Sequence, residues 1–330
     1  MLRSFALALT CLIPACALSI AQAPPGSLKL EREIPLPGVE GRIDHLSADI
    51  KGQRVFVSAL GNGTVEVVDV SQGQRTAQIK GLKSPQGVAY VPSNGTIYVA
   101  SGGDGTVRSF DGGTLKPLHD VSLGEDADNI RYDKIHDQLL VGYGTGAIAA
   151  LGLDLSRRAN FALPVHPESF QLTEDGKQLF VNLPDSRSIA SIDLGTQSVN
   201  PTWGHPSASG NFSMALDNTI HRLFIPCRQP ARLQVINSDI GRITAWTMTV
   251  GDTDDIFIDE ALRMLYVIGG DGFVDVLYVR EHDAMVSRAR VPTAPGARTG
   301  LYIPEWHKLI VAAPGQAASE ARLLVFAVQQ

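Results

Sequence analysis

Short apolar segments recur along the chain at a nearly constant interval, each set between polar turn residues. They are Val55-Phe56-Val57, Ile97-Tyr98-Val99, Leu139-Leu140-Val141, Leu179-Phe180-Val181, Leu223-Phe224-Ile225, Leu265-Tyr266-Val267 and Leu309-Ile310-Val311. Their last residues are separated by 42, 42, 40, 44, 42 and 44 positions. A period that steady over most of a chain marks stacked copies of one structural unit. Within each unit a strand such as Gly87 to Val91 precedes the apolar segment, with a turn such as Pro92-Ser93-Asn94-Gly95 between them. A Gly-rich turn follows, as in Gly61-Asn62-Gly63, Gly103-Asp104-Gly105 and Gly270-Asp271-Gly272. Asn-Gly and Asp-Gly suit tight hairpins because both central residues tolerate positive φ. A third strand with period-two alternation (Thr64 to Asp69) and a polar turn (Ser71 to Gln74) complete the unit and lead to a fourth strand. Four strands in about 42 residues, without helical periodicity, describe a propeller blade.

One four-stranded sheet cannot bury both of its faces, whereas copies stacked radially can, and a closed ring leaves no end sheet bare. The last unit holds only three strands, near Gly300–Ile303, Lys308–Ala312 and Arg322–Val328. Leu28 to Ile34, ahead of the first unit, has no partner of its own and supplies the fourth. The pattern therefore predicts an all-β, seven-bladed β-propeller of four-stranded antiparallel blades, the last closed by the N-terminal strand, with residues 24–330 as one domain.

Composition agrees with this. Of 330 residues 44% are hydrophobic and 19% charged, enough for a sizeable core, and 32 Gly and 19 Pro suit many short strands and turns. With 34 acidic and 28 basic residues the chain has a net charge of −6. That surface repels phosphate backbones and anionic lipid, so nucleic acid is not an expected partner. The first 23 residues read as a signal peptide: Arg3, an apolar run from Phe5 to Ile20 interrupted by Pro14, and Ala21-Gln22-Ala23 as the cleavage site. Lipidation at Cys16 is the alternative processing. No later stretch is apolar for long enough to span a bilayer as a helix. The expected product is a monomer in the periplasm or outside the cell. Cleavage would leave Cys227 as the one thiol, so stability rests on packing rather than on a disulfide.

The repeats resemble the YVTN β-propeller family of YncE-like secreted propellers. The likeness rests on Arg54-Val55-Phe56-Val57-Ser58, Thr96-Ile97-Tyr98-Val99-Ala100 and Met264-Leu265-Tyr266-Val267-Ile268, with the V-x-V-x-D-like strand after Gly63, although the tetrad Tyr-Val-Thr-Asn itself does not occur. It covers about residues 28–330 and implies an exported seven-bladed propeller. These motifs describe packing and turns and carry no chemistry.

In a propeller the first strand of each blade lines the central channel, and the loops leading into those strands share one face. Function gathers there, where residues from several blades converge. The residues at these positions are Arg42, Asp44 and His45; Ser84 and Gln86; Asp126, Asp128 and Asn129; His166, Glu168 and Ser169; Ser209 and Asn211; Asp252, Asp254 and Asp255; Arg298 and Thr299. Of these, Arg42, Asp44, His45, Gln86, Asp128, Asn129, Glu168, Asn211, Asp254, Asp255 and Arg298 form the candidate ligand-binding rim. Solvated turn chemistry alone enriches such residues. A second reading is a divalent cation held by carboxylate and amide oxygens, or a transition metal favoured by His45, His166 and His205. A third is acid–base catalysis of a lactonase or lyase type, with Glu168, or Asp44 with His45, moving protons and Arg298 holding a substrate carboxylate. The leading expectation is a scaffold that binds a small molecule or a protein at the channel mouth. Trp203, Trp246 and Trp306 are expected in inter-blade packing or as loop anchors.

Overall fold

Each recurring apolar triplet is the second strand of an antiparallel sheet that is buried on both faces. The computed structural model describes residues 24–204, 207–317 and 319–330. The expected signal segment (residues 1–23, with Cys16) and His205 lie outside these described residues. Seven sheets follow one another along the chain, each ordered from its inner to its outer strand. Their inner strands are Leu46–Asp49, Pro85–Val91, Ala127–Asp133, Phe170–Leu172, Ala215–Asp217, Thr253–Asp259 and Thr299–Ile303, for blades one to seven. Among the described residues there is no α-helix, and so none long and apolar enough to cross a membrane.

The alternation within the triplets explains the repeat. Val55 and Val57 face blade seven, while Phe56 faces blade two. Leu139 and Val141 face blade two, and Leu140 faces blade four. The same holds through Leu179, Val181 and Phe180, and again through Leu223, Ile225 and Phe224. Successive side chains on a strand point to opposite faces, so a strand with neighbours on both sides reads as unbroken hydrophobic sequence. The core is accordingly divided into seven layers, one between each pair of blades, and no single central core exists among the described residues. Each fully buried Val, Leu or Phe contributes about 1.5–3 kcal/mol. Where the middle residue is Tyr, its hydroxyl finds a polar partner in the next blade: Tyr98 donates to Leu153 O at 2.8 Å, and Tyr266 to Gly26 O at 3.2 Å.

The ring closes as the strand count requires. Leu28–Pro35 pairs antiparallel with Arg322–Val328, in register from Leu28↔Val328 to Pro35↔Arg322 with one bulge between Leu30 and Arg32. Ion pairs of Glu31 with Lys308 and of Glu33 with Arg322 flank this seam. Ile34, fully buried, joins the layer between blades seven and one. One blade departs from the four-strand plan. The outer strand of blade four is split into Ser198–Val199 and Trp203–Gly204, both paired with Ser188–Asp193. Pro201 falls in the break, where a missing N–H cannot continue the ladder.

Two of the three tryptophans pack as expected. Trp203 lies on Phe180 with ring centroids 5.7 Å apart, and Trp306 packs on the layer between blades seven and one. Trp246 does not. It stands 58% exposed on the outer strand of blade five beneath the Arg232 guanidinium, because radially arranged blades diverge away from the axis and cover their outermost strands least.

The closure makes a direct prediction. Ile34→Ala should lower unfolding stability by about 2–5 kcal/mol, the usual cost of truncating a fully buried aliphatic side chain. Leu30→Ala, on a residue 45% exposed in the same strand, should cost much less. Denaturant unfolding of the two variants checks this, and equal effects would mean that the seam carries no share of the core.

Candidate functional site

The residues of the channel mouth occupy equivalent positions in successive blades. Asp44, Gln86, Asp128, Glu168, Phe212, Asp254 and Arg298 are separated by 42, 42, 40, 44, 42 and 44 residues, and each precedes the end of its apolar triplet by thirteen. In blades one, two, three, four and six the inner strand carries an extra residue at this position. In blade two Pro85 faces Ser101 and Gly87 faces Ala100, leaving Gln86 unopposed. Blades three and six show the same slip between Ala127 and Ile130 and between Thr253 and Asp255. In blade one Asp44 N–H donates to Ser58 O at 2.7 Å while Ser58 N–H donates to His45 O at 3.0 Å, so two residues share one partner. Glu168 and Ser169 share Asn182 in the same way. A bulge of this kind bends the strand and re-aims its side chain, which is how a strand that otherwise lines a wall presents a carboxylate at the mouth. Gly87 lets blade three come close enough: a Cβ there would stand 2.2 Å from Asp128 O.

Arginines neutralise one half of the mouth. Arg42 Nη2 lies 3.1 Å from Asp44 Oδ2 and 3.8 Å from Asp254 Oδ2, joining blades one and six. Arg298 Nη2 is 3.0 Å from Asp252 Oδ2, and its Nε is 3.8 Å from Asp254 Oδ2. Arg228 pairs with Asp254, reaches Asp252 at 3.5 Å, and has its guanidinium 4.1 Å from the centroid of the Phe212 ring. His45 lies between two carboxylates, with Nε2 3.7 Å from Asp44 Oδ1 and Nδ1 3.8 Å from Asp255 Oδ1. Asp255 also accepts the Gly300 N–H at 2.9 Å, tying blade six to blade seven.

The other half, on blades three and four, is built differently. His166 Nε2 lies 3.7 Å from Asp128 Oδ2, and its Nδ1 lies 2.5 Å from Gly144 O and 3.8 Å from Asp126 Oδ2. Ligand atoms of Asp128, His166 and Glu168 all lie within 4.8 Å of one another. These three are the described residues whose geometry best suits a metal ion. Gln86 donates to Asp126 at 3.3 Å on the rim. Asn129 is buried beside Asp128, and its Oδ1 accepts no hydrogen bond.

Asn211 departs from the expected rim. It is fully buried, and its amide donates to Ser188 O at 3.0 Å and Asn182 Oδ1 at 3.3 Å, binding blade five to blade four. The rim position of blade five is the next residue, Phe212. Sequence reasoning also passed over Arg228 and Arg131. Arg228 ends the second strand of blade five, on the same face as the leading loops. Searching that hairpin as well as the loops would have found it. Arg131 sits three residues beyond Asp128 within the inner strand, where nothing in the local pattern separates a channel residue from a surface one. Its guanidinium is deep in the channel, 5.8 Å from the Phe170 ring centroid.

Burial sets the proton affinities here. Desolvation pushes Asp44 up to about 7, outweighing the opposing pull of His45 and Arg42. Desolvation likewise raises Glu168 to about 8, with the Asp128 charge adding to it. For His45 burial disfavours the cation, yet the Asp44 charge and the hydrogen bond to Asp255 overcome it and lift the imidazole to about 9. His166 also rises to about 9: burial opposes the charge, while Asp128 and the Gly144 carbonyl favour it. Asp254 is raised by burial against the attraction of Arg228 and Arg42. Charges on blades one, three, four and six feel one another across the axis, so the mouth behaves as one electrostatic unit.

Beneath this charged mouth the channel changes character. At the far ends of the inner strands two cavities of about 300 and 480 Å³ share Tyr302 and Pro304. Leu46, Val88, Ile130 and Leu301 line one of them, and Ile256 and Ile258 the other.

No protein-family model matches the chain, and no curated protein matches it in sequence. Solved structures do. A chain of the structure described as "Crystal Structure of Mitotic Checkpoint Complex" superposes with a TM-score of 0.78 at 14% identity, covering 100% of both chains. A chain of "Kuenenia stuttgartiensis Hydrazine Synthase" gives 0.75 at 16% identity, covering 89% of this chain and 99% of that one. At such identities the likeness is one of fold, and it agrees with the seven-bladed ring.

The proton affinities predict how stability varies with pH. Asp44 and His45 bind protons more tightly in the folded state than at their ordinary values of 3.8 and 6.5. Between these values and about 7 and 9 the folded chain holds protons that the unfolded chain has released. The Asp44 contribution is complete below about pH 4 and is lost as pH rises through about 7, and that of His45 is complete below about 6.5 and is lost through about 9. The melting temperature, measured with chelator present, should therefore fall from pH 5 to pH 9, and His45→Gln should flatten the upper part of the fall. A melting temperature that rises over this window would contradict the assignment.

Proposed function

We propose that the protein is an exported propeller of the YVTN type that binds a small polar ligand at the channel mouth. The observation that carries this reading is the ring of equivalent positions held by Asp44, Gln86, Asp128, Glu168, Asp254 and Arg298, the first five of them on bulges of the inner strands. Turn chemistry explains polar residues in loops, but it does not explain carboxylates buried against arginines from other blades. Desolvating such groups costs several kcal/mol each, a cost that folds retain where a site uses them. Arg42 has half of its side chain exposed beside the buried Asp44, so it offers donors to a ligand without moving. Export rests on the N-terminal segment and the cleavage site after Ala23, and membership of the YVTN family rests on the repeats.

A lactonase- or lyase-type enzyme is the second reading. It is favoured by the position of the Asp44 and Glu168 affinities, about 7 and 8, near those of effective proton-transfer groups at neutral pH. The two readings share the mouth and differ in turnover.

A thermal-shift screen of the mature chain against small carboxylic acids, lactones and sugars tests both. A ligand of the mouth should raise the melting temperature of the wild type. The shift should disappear in Arg42→Ala and Arg298→Ala, because each removes a donor at the rim. A hit recovered unchanged supports the scaffold, and one recovered chemically altered supports the enzyme. Ligands that shift wild type and both variants equally would place binding elsewhere.

A further inference from the structure

The two halves of the mouth differ in how their charge is balanced. On blades five, six, seven and one, Asp44, Asp252 and Asp254 each lie within ion-pair distance of at least one arginine. On blades three and four, Asp128 has His166 as its one ion-pair partner among the described residues. Among the described residues the Glu168 carboxylate accepts no hydrogen bond and has no cation within ion-pair distance, although Asp128 stands beside it. Asp128 and Glu168 are thus adjacent acidic groups whose nearest cationic partner is the His166 imidazole, and charging both of them in a partly enclosed site is costly.

His166 is oriented as metal ligands are. Gly144 O can only accept a hydrogen bond, so the Nδ1 atom 2.5 Å from it carries the proton. In the neutral ring this leaves the lone pair on Nε2, the atom directed at Asp128. Backbone carbonyls fix histidine ligands in this way because the bond sets both tautomer and ring plane. From these two observations we infer that Asp128, His166 and Glu168 bind a divalent transition-metal ion, with coordination positions left for water or a ligand at the mouth. This inference rests on the reading of the mouth as a binding site.

Geometry and donor chemistry define the class of ion. One imidazole nitrogen and two carboxylate oxygens suit Zn²⁺ or Mn²⁺, whereas Ca²⁺ and Mg²⁺ prefer shells made mostly or wholly of oxygen. Zinc holds such donors at roughly 2.0–2.2 Å. Donor atoms that already lie within 4.8 Å of one another reach that distance by small side-chain rotations. Three protein ligands leave a fourth position open, as sites that bind a further molecule require.

The test is calorimetric titration of the full mature chain, untagged and freed of chelator, with ZnCl₂, MnCl₂ and CaCl₂ in turn. One equivalent of Zn²⁺ or Mn²⁺ should bind, more tightly than Ca²⁺. His166→Ala and Glu168→Gln should each weaken it at least tenfold. His136→Ala, which alters a histidine paired with Asp133 at the opposite face, should leave it unchanged. Circular dichroism and thermal unfolding establish that each variant is folded. The inference is overturned if folded wild type binds neither ion stoichiometrically, if the His166 and Glu168 variants bind as wild type does, or if Ca²⁺ binds more tightly than both. A ligand shift that persists with chelator while metal binding fails would sink this inference and leave the proposed ligand site standing.

Discussion

The structure depends on burying both faces of every second strand. A triplet such as Leu179-Phe180-Val181 sends its outer members to one neighbour and its middle member to the other. No blade can satisfy that demand alone, so each is stable only between two others, and the chain of dependence ends only when the last sheet meets the first. Leu28–Pro35 performs that closure by completing blade seven beside blade one. The cost is a set of contacts spanning almost the whole described chain, such as the bond from Tyr266 to Gly26, which form only after long loops have been closed.

The same constraint produces the mouth. The second strands are held in register by packing on both sides, so an extra residue in the adjoining inner strand cannot be absorbed by sliding. It is expelled as a bulge, and because the blades are equivalent the bulges recur at the same height. Asp44, Gln86, Asp128, Glu168 and Asp254 thus converge for a reason that lies in the repeat. Phe212 and Arg298 occupy the same position, and in blade five the Arg228 guanidinium over Phe212 restores charge to that part of the ring.

Much of this was legible in sequence, and the limits have physical causes. Period and triplets disclosed the blades because a strand buried on both faces has no polar alternation to dilute its signal. The N-terminal partner of Arg322–Val328 could be found by counting strands. The rim was legible as a set of loops, but its members could not be assigned one by one. Asn211 and Phe212 are adjacent, and which of them reaches the channel depends on a local register that composition does not encode. Arg131 and Arg228 were missed because their importance lies in partners from other blades: Asp255 acts on Arg131 from blade six, and Asp254 pairs with Arg228 from the same blade. The break in blade four is visible in retrospect at Pro201, yet many outer strands tolerate a proline.

The unequal balance of charge around the mouth follows from how the repeat can vary. Every blade offers the rim position and a position two residues ahead of it, and those two sites shape what each sector of the ring presents. Blade one fills them with Asp44 and Arg42, a pair that is internally neutral. Blade six fills both with aspartates, Asp254 and Asp252, and borrows arginines from blades five and seven. Blade three also fills both with aspartates, Asp128 and Asp126, but its neighbours supply Gln86 on one side and His166 with Glu168 on the other. Glutamine and a single imidazole give Asp126 and Asp128 one cationic partner, where blade six has two guanidiniums for its pair of aspartates. The sector between blades three and four is therefore the part of the ring where the protein's own side chains leave negative charge, and a cation bound there would complete the pattern that arginine completes elsewhere.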